Sequence, residues 1–194
     1  MNLERFCLKF YARPGVTIDE GIFIEVFHDW IRHRKLAGVL IDVADYRHVP
    51  DGPGVMLITH DINFSMDHTD SRFGLLAQRK PGPGDDHATR IVELARSTAA
   101  FGALLESDRR VKGKLSLEGG LFHYMANDRL LAPNNEASFI ALLPDLTAAA
   151  AVIYPGQKVS ISRLANDPRD RLTIVVEAGR VDMKTLLERV RAAA

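Results

Sequence analysis

The sequence has a single cysteine and no net charge, and both features exclude classes of function. Cys7 is the only cysteine among 194 residues, which rules out a disulfide framework and a cysteine-rich zinc site. Lysine and arginine number 25, and aspartate and glutamate also number 25. No net field therefore favours nucleic acid or an anionic membrane. We expect neither of them as a partner.

Long apolar runs are also missing. The apolar segment Ala149–Ile153 is far shorter than the roughly 20 residues of a membrane span. Met1–Lys9 mixes charged with apolar residues and has no signal-peptide core. A hydrophobic share of 46% and a charged share of 26% are typical of a folded soluble chain. We therefore expect one cytoplasmic domain over residues 1–194.

Hydrophobic periodicity predicts an α+β fold in the first part of the chain. Alternating apolar residues indicate a strand within Leu3–Tyr11, and a stripe at intervals of three and four predicts a helix from Ile22 to Ile31. The turn Pro50–Gly54 is too short for a parallel crossover, so the strands around it should form an antiparallel meander. The predicted strands of this meander are Val39–Tyr46, Val55–Phe64 and Gly74–Arg79.

The rest of the chain repeats this order of elements. A linker at Pro81–Gly84 precedes a long helix that Asp85 or Asp86 can cap. A strand, a helix bent or broken at Pro144, a hairpin and a final helix follow. The halves 1–112 and 113–194 thus share the order strand, helix, hairpin, helix. This order predicts two degenerate ferredoxin-like βαββα halves with antiparallel sheets and helices on one face, or else an undivided α+β sandwich with an inserted strand.

One stretch of the sequence resembles a known family. Residues 42–54 read DVADYRHVPDGPG and are followed by VMLITHD. This stretch resembles the signature hairpin of a family of uncharacterised bacterial proteins of similar length, and NDRLLAPN at 127–134 is also similar to its members. The resemblance implies a bacterial, cytoplasmic protein made of one module. It implies no activity.

Seven histidines raise the question of a metal site, and their spacing argues against one. His28 and His33 are five residues apart on a predicted helix, whereas a metal-binding pair needs a spacing of four. His68 and His87 lie in predicted polar loops, where we expect them to be solvated, and His123 is a predicted strand residue. We therefore predict no metal and no other cofactor.

The strongest candidate for chemistry is an aspartate–histidine pair on the predicted hairpin. A turn centred near Asp51 places Asp42 opposite His60 on the same face of the sheet. A mid-strand carboxylate is costly to bury without a partner, and an imidazole supplies one. Such pairs perform acid–base catalysis in enzymes, and they also occur as inert buried contacts.

The loop that follows Asp42 is the second candidate. Tyr46, Arg47 and His48 combine an aromatic ring with two potential cations, and Gly52 and Gly54 allow the backbone to approach a ligand closely. This composition suits a small anionic ligand or a carboxylate of a protein partner. A rigid hairpin turn with a solvated arginine explains the same residues.

Two functions fit these patterns. The first is a non-catalytic module that homo-oligomerises and binds a protein or small-ligand partner, because strands apolar on both faces must be covered twice. The alternative is a small enzyme in which Asp42 and His60 act as an acid–base pair beside the Tyr46–Gly54 loop, on an anionic small-molecule substrate. A structure separates the two, because an enzyme needs a pocket where these side chains converge.

Overall fold

The computed structural model describes residues 1–82 and 86–192, and these residues form one eight-stranded antiparallel sheet with four helices. The predicted α+β class is confirmed. The strands are β1 (Phe6–Ala12), β2 (Leu40–Tyr46), β3 (Gly54–Thr59), β4 (Ile62–Asp67), β5 (Gly74–Arg79), β6 (Leu117–Ala126), β7 (Ser160–Arg163) and β8 (Thr173–Glu177). The helices are α1 (Gly21–His33), α2 (His87–Ser107), α3 (Glu136–Ile153) and α4 (Met183–Ala192). Pro83, Gly84 and Asp85 of the predicted linker and cap lie outside the described residues.

The strands follow the order β2-β3-β4-β5-β1-β6-β8-β7, and each neighbouring pair is antiparallel. The predicted meander is confirmed, but it has four strands because the chain reverses at His60 and Asp61. The Thr59 hydroxyl fixes this reversal, since it donates to the Ile62 carbonyl at 2.6 Å and accepts from the Ile62 N–H at 3.1 Å. The predicted single strand Val55–Phe64 is therefore two strands.

Both halves of the chain contribute to this one sheet, which is continuous because β1 pairs with β6. In the second half, β8 lies between β6 and β7. In the first half, the three strands β3, β4 and β5 lie between β1 and β2. The ferredoxin-like character of the halves stays a prediction.

The four helices pack on one face of the sheet. A row of apolar side chains crosses that face from strand to strand, and it belongs to the same buried cluster as the helix residues Phe27, Trp30 and Phe101. The row consists of Leu57, Phe64, Ala77, Leu8, Tyr124 and Ile174.

Asp86 caps α2, because its Oδ1 accepts from the Thr89 N–H at 3.0 Å.

Helix α3 is long and apolar enough, by length and composition alone, to cross a membrane. One third of it is buried, where it packs against α2, α4 and β7. Core helices of soluble proteins have the same composition, so this feature is weak evidence for a membrane span.

The opposite face of the sheet, called the open face below, carries the alternate side chains. Ser65, Leu76, Lys9, His123 and Val175 lie in one row across it, from β4 to β8. The loop between β4 and β5 folds over the centre of this row, where it contacts β1. Polar residues at the centre of the sheet are buried as a result, and they form the site described next.

Candidate functional site

The predicted contact between Asp42 and His60 is wrong. The ladder pairs Asp42 with Ile58, and His60 lies in the turn between β3 and β4. The His60 ring is exposed, with its Nδ1 2.6 Å from Asp61 Oδ1. Asp42 is exposed on an edge strand, and its Oδ1 accepts from the Val43 N–H at 2.8 Å. The acid–base pair on which the enzyme hypothesis depended is not formed.

Solvent access explains why this pairing is absent. The prediction assumed that the Asp42 carboxylate needs a buried partner, but β2 is at the edge of the sheet and water solvates it. The ladder is also centred one residue earlier than predicted, since Ala44 lies opposite Met56. The β3–β4 turn then removes His60 from the strand altogether.

The loop Tyr46–Gly54 borders a shallow groove in which carboxylates are the more numerous charges. Arg47 lines the groove and forms a bidentate ion pair with Asp45. Its Nε donates to Asp45 Oδ1 at 2.9 Å, and its Nη2 donates to Oδ2 at 2.7 Å. This hydrogen bonding lowers the pKa of the Asp45 carboxyl to about 2. Asp19, Glu20 and Asp51 line the same groove. An anionic ligand would meet these charges, so the groove is a poorer anion site than the sequence predicts.

The other predicted ligand contacts of this loop serve the turn. The rings of Tyr46 and His48 stack on each other in solvent, with centroids 6.3 Å apart. Gly54 has φ +60°, and a Cβ there would collide with the Met66 carbonyl. A Cβ at Gly52 would lie 2.8 Å from a backbone oxygen. Backbone geometry therefore accounts for both glycines.

The centre of the open face holds a buried charge cluster around Lys9. The Lys9 side chain is 1% exposed, and its Nζ lies 2.7 Å from Asp67 Oδ2 and 2.8 Å from Asp70 Oδ1. Nζ also donates to the Thr69 carbonyl at 2.5 Å. The Asp67 side chain is 2% exposed and accepts from the Thr69 N–H and hydroxyl. The ammonium group therefore has two hydrogen-bond acceptors and an ion pair with a second carboxylate, and a buried charge requires such partners.

Tyr11 and His123 extend this cluster. The Tyr11 hydroxyl donates to Asp70 Oδ2 at 2.7 Å and lies 2.6 Å from His123 Nδ1. A phenol has one proton, so we assign the proton between Tyr11 and His123 to Nδ1, which donates to the phenol oxygen. Burial lowers the pKa of His123 to about 4. Burial and the hydrogen bond to Asp70 raise the pKa of Tyr11 above its usual range. Both groups are therefore neutral at pH 7.

The loop that brings Asp70 to the cluster has an unusual backbone. Asp70 has φ +68° and Ser71 has φ +56°, a left-handed conformation that is uncommon for residues other than glycine. The contacts of Asp70 with Lys9 and Tyr11 hold this conformation in place. The guanidinium of Arg72 stacks 3.7 Å from the centroid of the Tyr11 ring.

A cleft of about 650 Å³ lies beside the cluster on the open face. Thr69 and Asp70 from the β4–β5 loop line it, together with residues of the β7–β8 loop. Its lining cations are Lys9, Arg129, Arg169 and Arg171, and its lining carboxylates are Asp70 and Asp170. Positive charge therefore exceeds negative charge in the lining.

In the described part of the chain, no carboxylate lies within 4 Å of the guanidinium group of Arg129 or of Arg171. Arg129 Nη1 donates to the Arg169 carbonyl at 2.6 Å, and Arg171 Nη1 lies 3.9 Å from Cys7 Sγ. Burial raises the pKa of the Cys7 thiol to about 11, so the thiol is a neutral neighbour. Guanidinium groups in such a cleft attract and bind anions.

The structure corrects the prediction that His87 is solvated, and it places His68 in a loop with a partly exposed side chain. His87 is 2% exposed, and its Nε2 lies 2.9 Å from the Tyr124 hydroxyl, so it is not solvated. His68 is half-buried, with Nε2 2.6 Å from Glu20 Oε1. Among residues 1–82 and 86–192, no group of three or more His, Cys, Asp or Glu side chains could hold a metal ion.

Sequence reasoning missed this charge cluster. The alternation in β1 predicts a strand but not that the β4–β5 loop covers the side on which Lys9 lies. The sequence does contain a signal for the burial of Lys9. This lysine follows the apolar Leu8 and precedes the aromatic Phe10 and Tyr11. A strand with this composition is typical of the middle of a sheet, where a charge needs buried partners.

The chain matches no protein-family model, no curated protein and no solved structure. The resemblance of residues 42–54 to a bacterial hairpin stays a resemblance. The function is therefore argued from the charges and contacts of the cleft.

Proposed function

We propose that the chain is a non-catalytic binding module whose cleft on the open face takes a small organic anion. The observation that carries this proposal is the pair Arg129 and Arg171, which line the cleft without a carboxylate partner among the described residues. Charged hydrogen bonds to guanidinium groups are among the strongest that proteins make with anions. A ligand with a carboxylate or phosphate group supplies the missing partner.

The loop that carries Arg171 is held in place before any ligand arrives. Asn166 Nδ2 donates to the Arg171 carbonyl at 3.2 Å, and Asn166 Oδ1 accepts from Asn134 Nδ2 at 2.8 Å. Asn134 also donates to the Asp167 carbonyl at 3.0 Å. A site that is already ordered loses less conformational entropy on binding, which favours affinity.

Binding fits the cluster better than catalysis does. Tyr11 bonds to both His123 and Asp70, so the protons of Tyr11 and His123 stabilise the cluster. Neither residue lines the cleft while Asp70 holds its contacts with Lys9 and Tyr11. A catalytic acid or base would have to reach the ligand directly.

We also propose that the chain forms a homo-oligomer, and that the edge strand β2 is its interface. Strand β2 is an edge of the sheet, and Val39 and Ile41 near its start are 63% and 54% exposed. An unpaired edge with apolar side chains can pair with the same edge of a second copy. Sedimentation at micromolar concentration tests this, because a 21.5 kDa monomer would contradict it.

Isothermal titration with succinate, citrate and inorganic phosphate tests the anion site. We expect at least one of these anions to bind the wild-type chain. Arg129→Gln and Arg171→Gln should each weaken that binding by about tenfold, the loss expected for one charged hydrogen bond. Thermal unfolding of each variant separates lost binding from lost folding.

Arg32→Gln is the matched control, because Arg32 is exposed on α1 and lies on the helix side of the sheet. It removes the same charge and should leave anion affinity unchanged. Equal weakening by Arg32→Gln and Arg171→Gln would show a general charge effect and contradict the proposal. Absence of binding at millimolar concentrations of all three anions would contradict it as well.

A further inference from the structure

We propose that the ligand of this cleft is a small dicarboxylate and that Asp70 occupies the position of its first carboxylate. On binding, that carboxylate replaces Asp70 as the partner of Lys9 and Tyr11. The second carboxylate binds Arg129 and Arg171. This inference rests on the proposed function, because it assigns the ligand class of the same cleft. Asp70 is then an internal competitor of the ligand, because both carboxylates bind Lys9 and Tyr11.

The charges of the cluster identify Asp70 as the replaceable carboxylate. Lys9 carries one positive charge and contacts two carboxylates. Asp67 is 2% exposed and is fixed by two further hydrogen bonds from Thr69, so it is the permanent partner of Lys9. The Asp70 side chain is 37% exposed and lines the cleft. Removing Asp70 from the cluster leaves the buried Lys9–Asp67 pair intact.

The donors around Asp70 would suit any carboxylate. Lys9 Nζ lies 2.8 Å from one oxygen, and the Tyr11 hydroxyl donates to the other at 2.7 Å. His123 fixes the Tyr11 hydroxyl from its far side at 2.6 Å. A ligand carboxylate in this position would accept the same two hydrogen bonds and would bring the same charge.

The backbone favours the departure of Asp70 when a ligand arrives. Asp70 and Ser71 both have left-handed φ values, and Asp70 is held by its contacts to Lys9 and Tyr11. Loss of these contacts to a ligand would let both residues return to ordinary conformations. The strain therefore offsets part of the cost of opening the loop.

The second acid group follows from the two arginines that line the cleft. Arg129 and Arg171 line the same cavity as Asp70, and neither has a carboxylate partner within the described ranges. A monocarboxylate can satisfy only one of these two sets of donors, Lys9 with Tyr11 or Arg129 with Arg171. A molecule with an acid group at each of its own ends satisfies both sets, and its length is set by the distance between them.

Asp70→Gly tests the inference because glycine adopts the left-handed backbone without strain. The variant vacates the position of the carboxylate while the Lys9–Asp67 pair remains. We expect Asp70→Gly to bind acetate about tenfold more tightly than the wild-type chain does, because the internal competitor is gone. Acetate should also raise the melting temperature of Asp70→Gly more than that of the wild type.

Asp170→Gly is the matched control, since Asp170 is an exposed carboxylate in the lining of the same cleft. It removes an equal charge without vacating the position on Lys9 and Tyr11, so it should bind acetate more weakly than Asp70→Gly does. Adding Tyr11→Phe to Asp70→Gly should reduce the gain, because one of the two donors is lost. Equal acetate affinity of the Asp70→Gly and Asp170→Gly variants would overturn the inference.

A series of dicarboxylates from malonate to adipate tests the ligand class. In Asp70→Gly, we expect one chain length to bind about tenfold more tightly than acetate, and this advantage should disappear when Arg171→Gln is added. Dicarboxylates that bind no better than acetate would overturn the ligand class. No gain from Asp70→Gly, with Arg171-dependent binding intact, would overturn the role of Asp70 alone. Binding that is indifferent to Arg129 and Arg171 would instead overturn the proposed function.

Discussion

Two regions of the same sheet contain acids, bases and aromatic rings, but the charged groups are exposed in one region and buried in the other. At the β2 edge, Asp42 and Arg47 lie in solvent, and each is satisfied by a close neighbour in sequence. At the centre, Lys9 and Asp67 are buried, and Lys9 reaches partners about sixty residues away. The edge region has the more conspicuous sequence, but the central region has the more constrained chemistry.

Burial is the source of this difference. Water solvates a charge at the edge, so its partners contribute little to stability. A charge in the centre of the sheet has no water to replace a lost partner, so each contact matters. A functional interpretation of polar residues therefore depends first on the position of their strand in the sheet.

The largest effect is expected from Lys9→Met. The substitution leaves Asp67 buried without its cation, and we expect it to lower the free energy of unfolding by about 3–5 kcal/mol. Arg47→Met at the edge removes an exposed ion pair and should cause no measurable change. Urea unfolding of the two variants compares the regions directly.

The double variant Lys9→Met/Asp67→Leu sharpens this first test. It removes both buried charges and should recover much of the lost stability, because apolar residues often replace a buried pair well. Equal stability of Lys9→Met and the wild type would show that the centre is solvated like the edge. That result would remove the physical basis of the contrast.

The order of the elements was largely predictable, whereas the order of the strands in the sheet was only partly so. Local periodicity predicts α1 and the meander, and short turns make the meander antiparallel. The reversal at His60 and Asp61 was missed because apolar residues continue on both sides of it. The pairing of β1 with both β5 and β6 joins residues that are distant in sequence, which periodicity does not report.

The candidate site was less predictable than the fold. Sequence spacing pointed to Asp42 and His60, because hairpin partners can be derived from a turn. The contacts of Lys9 with Asp67 and of Tyr11 with His123 depend on which strands are neighbours and on a loop that folds back. Once β1 is placed at the centre of the sheet, the burial of Lys9 follows, and with it the need for carboxylates nearby.

The second-largest effect is a pH dependence of stability that depends on buried histidines. Burial lowers the pKa of His87 and of His123 from 6.5 to about 4. Between these pH values the unfolded chain binds protons that the folded chain does not, so acid destabilises the fold. We expect the free energy of unfolding to fall by about 2–4 kcal/mol in total as pH decreases from 6.5 to about 4, after allowance for partial solvent screening.

A single variant at the centre tests which groups titrate. His87→Gln should keep a hydrogen bond to Tyr124 and reduce the slope of stability against pH by about half. Urea unfolding at a series of pH values measures the slope. An unchanged slope in His87→Gln would contradict the assignment of His87 as a titrating group.

The smallest effect is expected from Asp42→Ala, and this absence of effect is itself diagnostic. The Asp42 carboxylate is exposed and accepts one hydrogen bond, from the adjacent Val43 N–H, which water can replace. We therefore expect no loss of unfolding free energy beyond experimental error. Asp67→Ala changes the same side chain at the centre, where Lys9 and Thr69 lose their acceptor, and should be strongly destabilising. Comparable losses in the two variants, measured by urea unfolding, would show that Asp42 has a buried partner after all and would restore the edge as a candidate site.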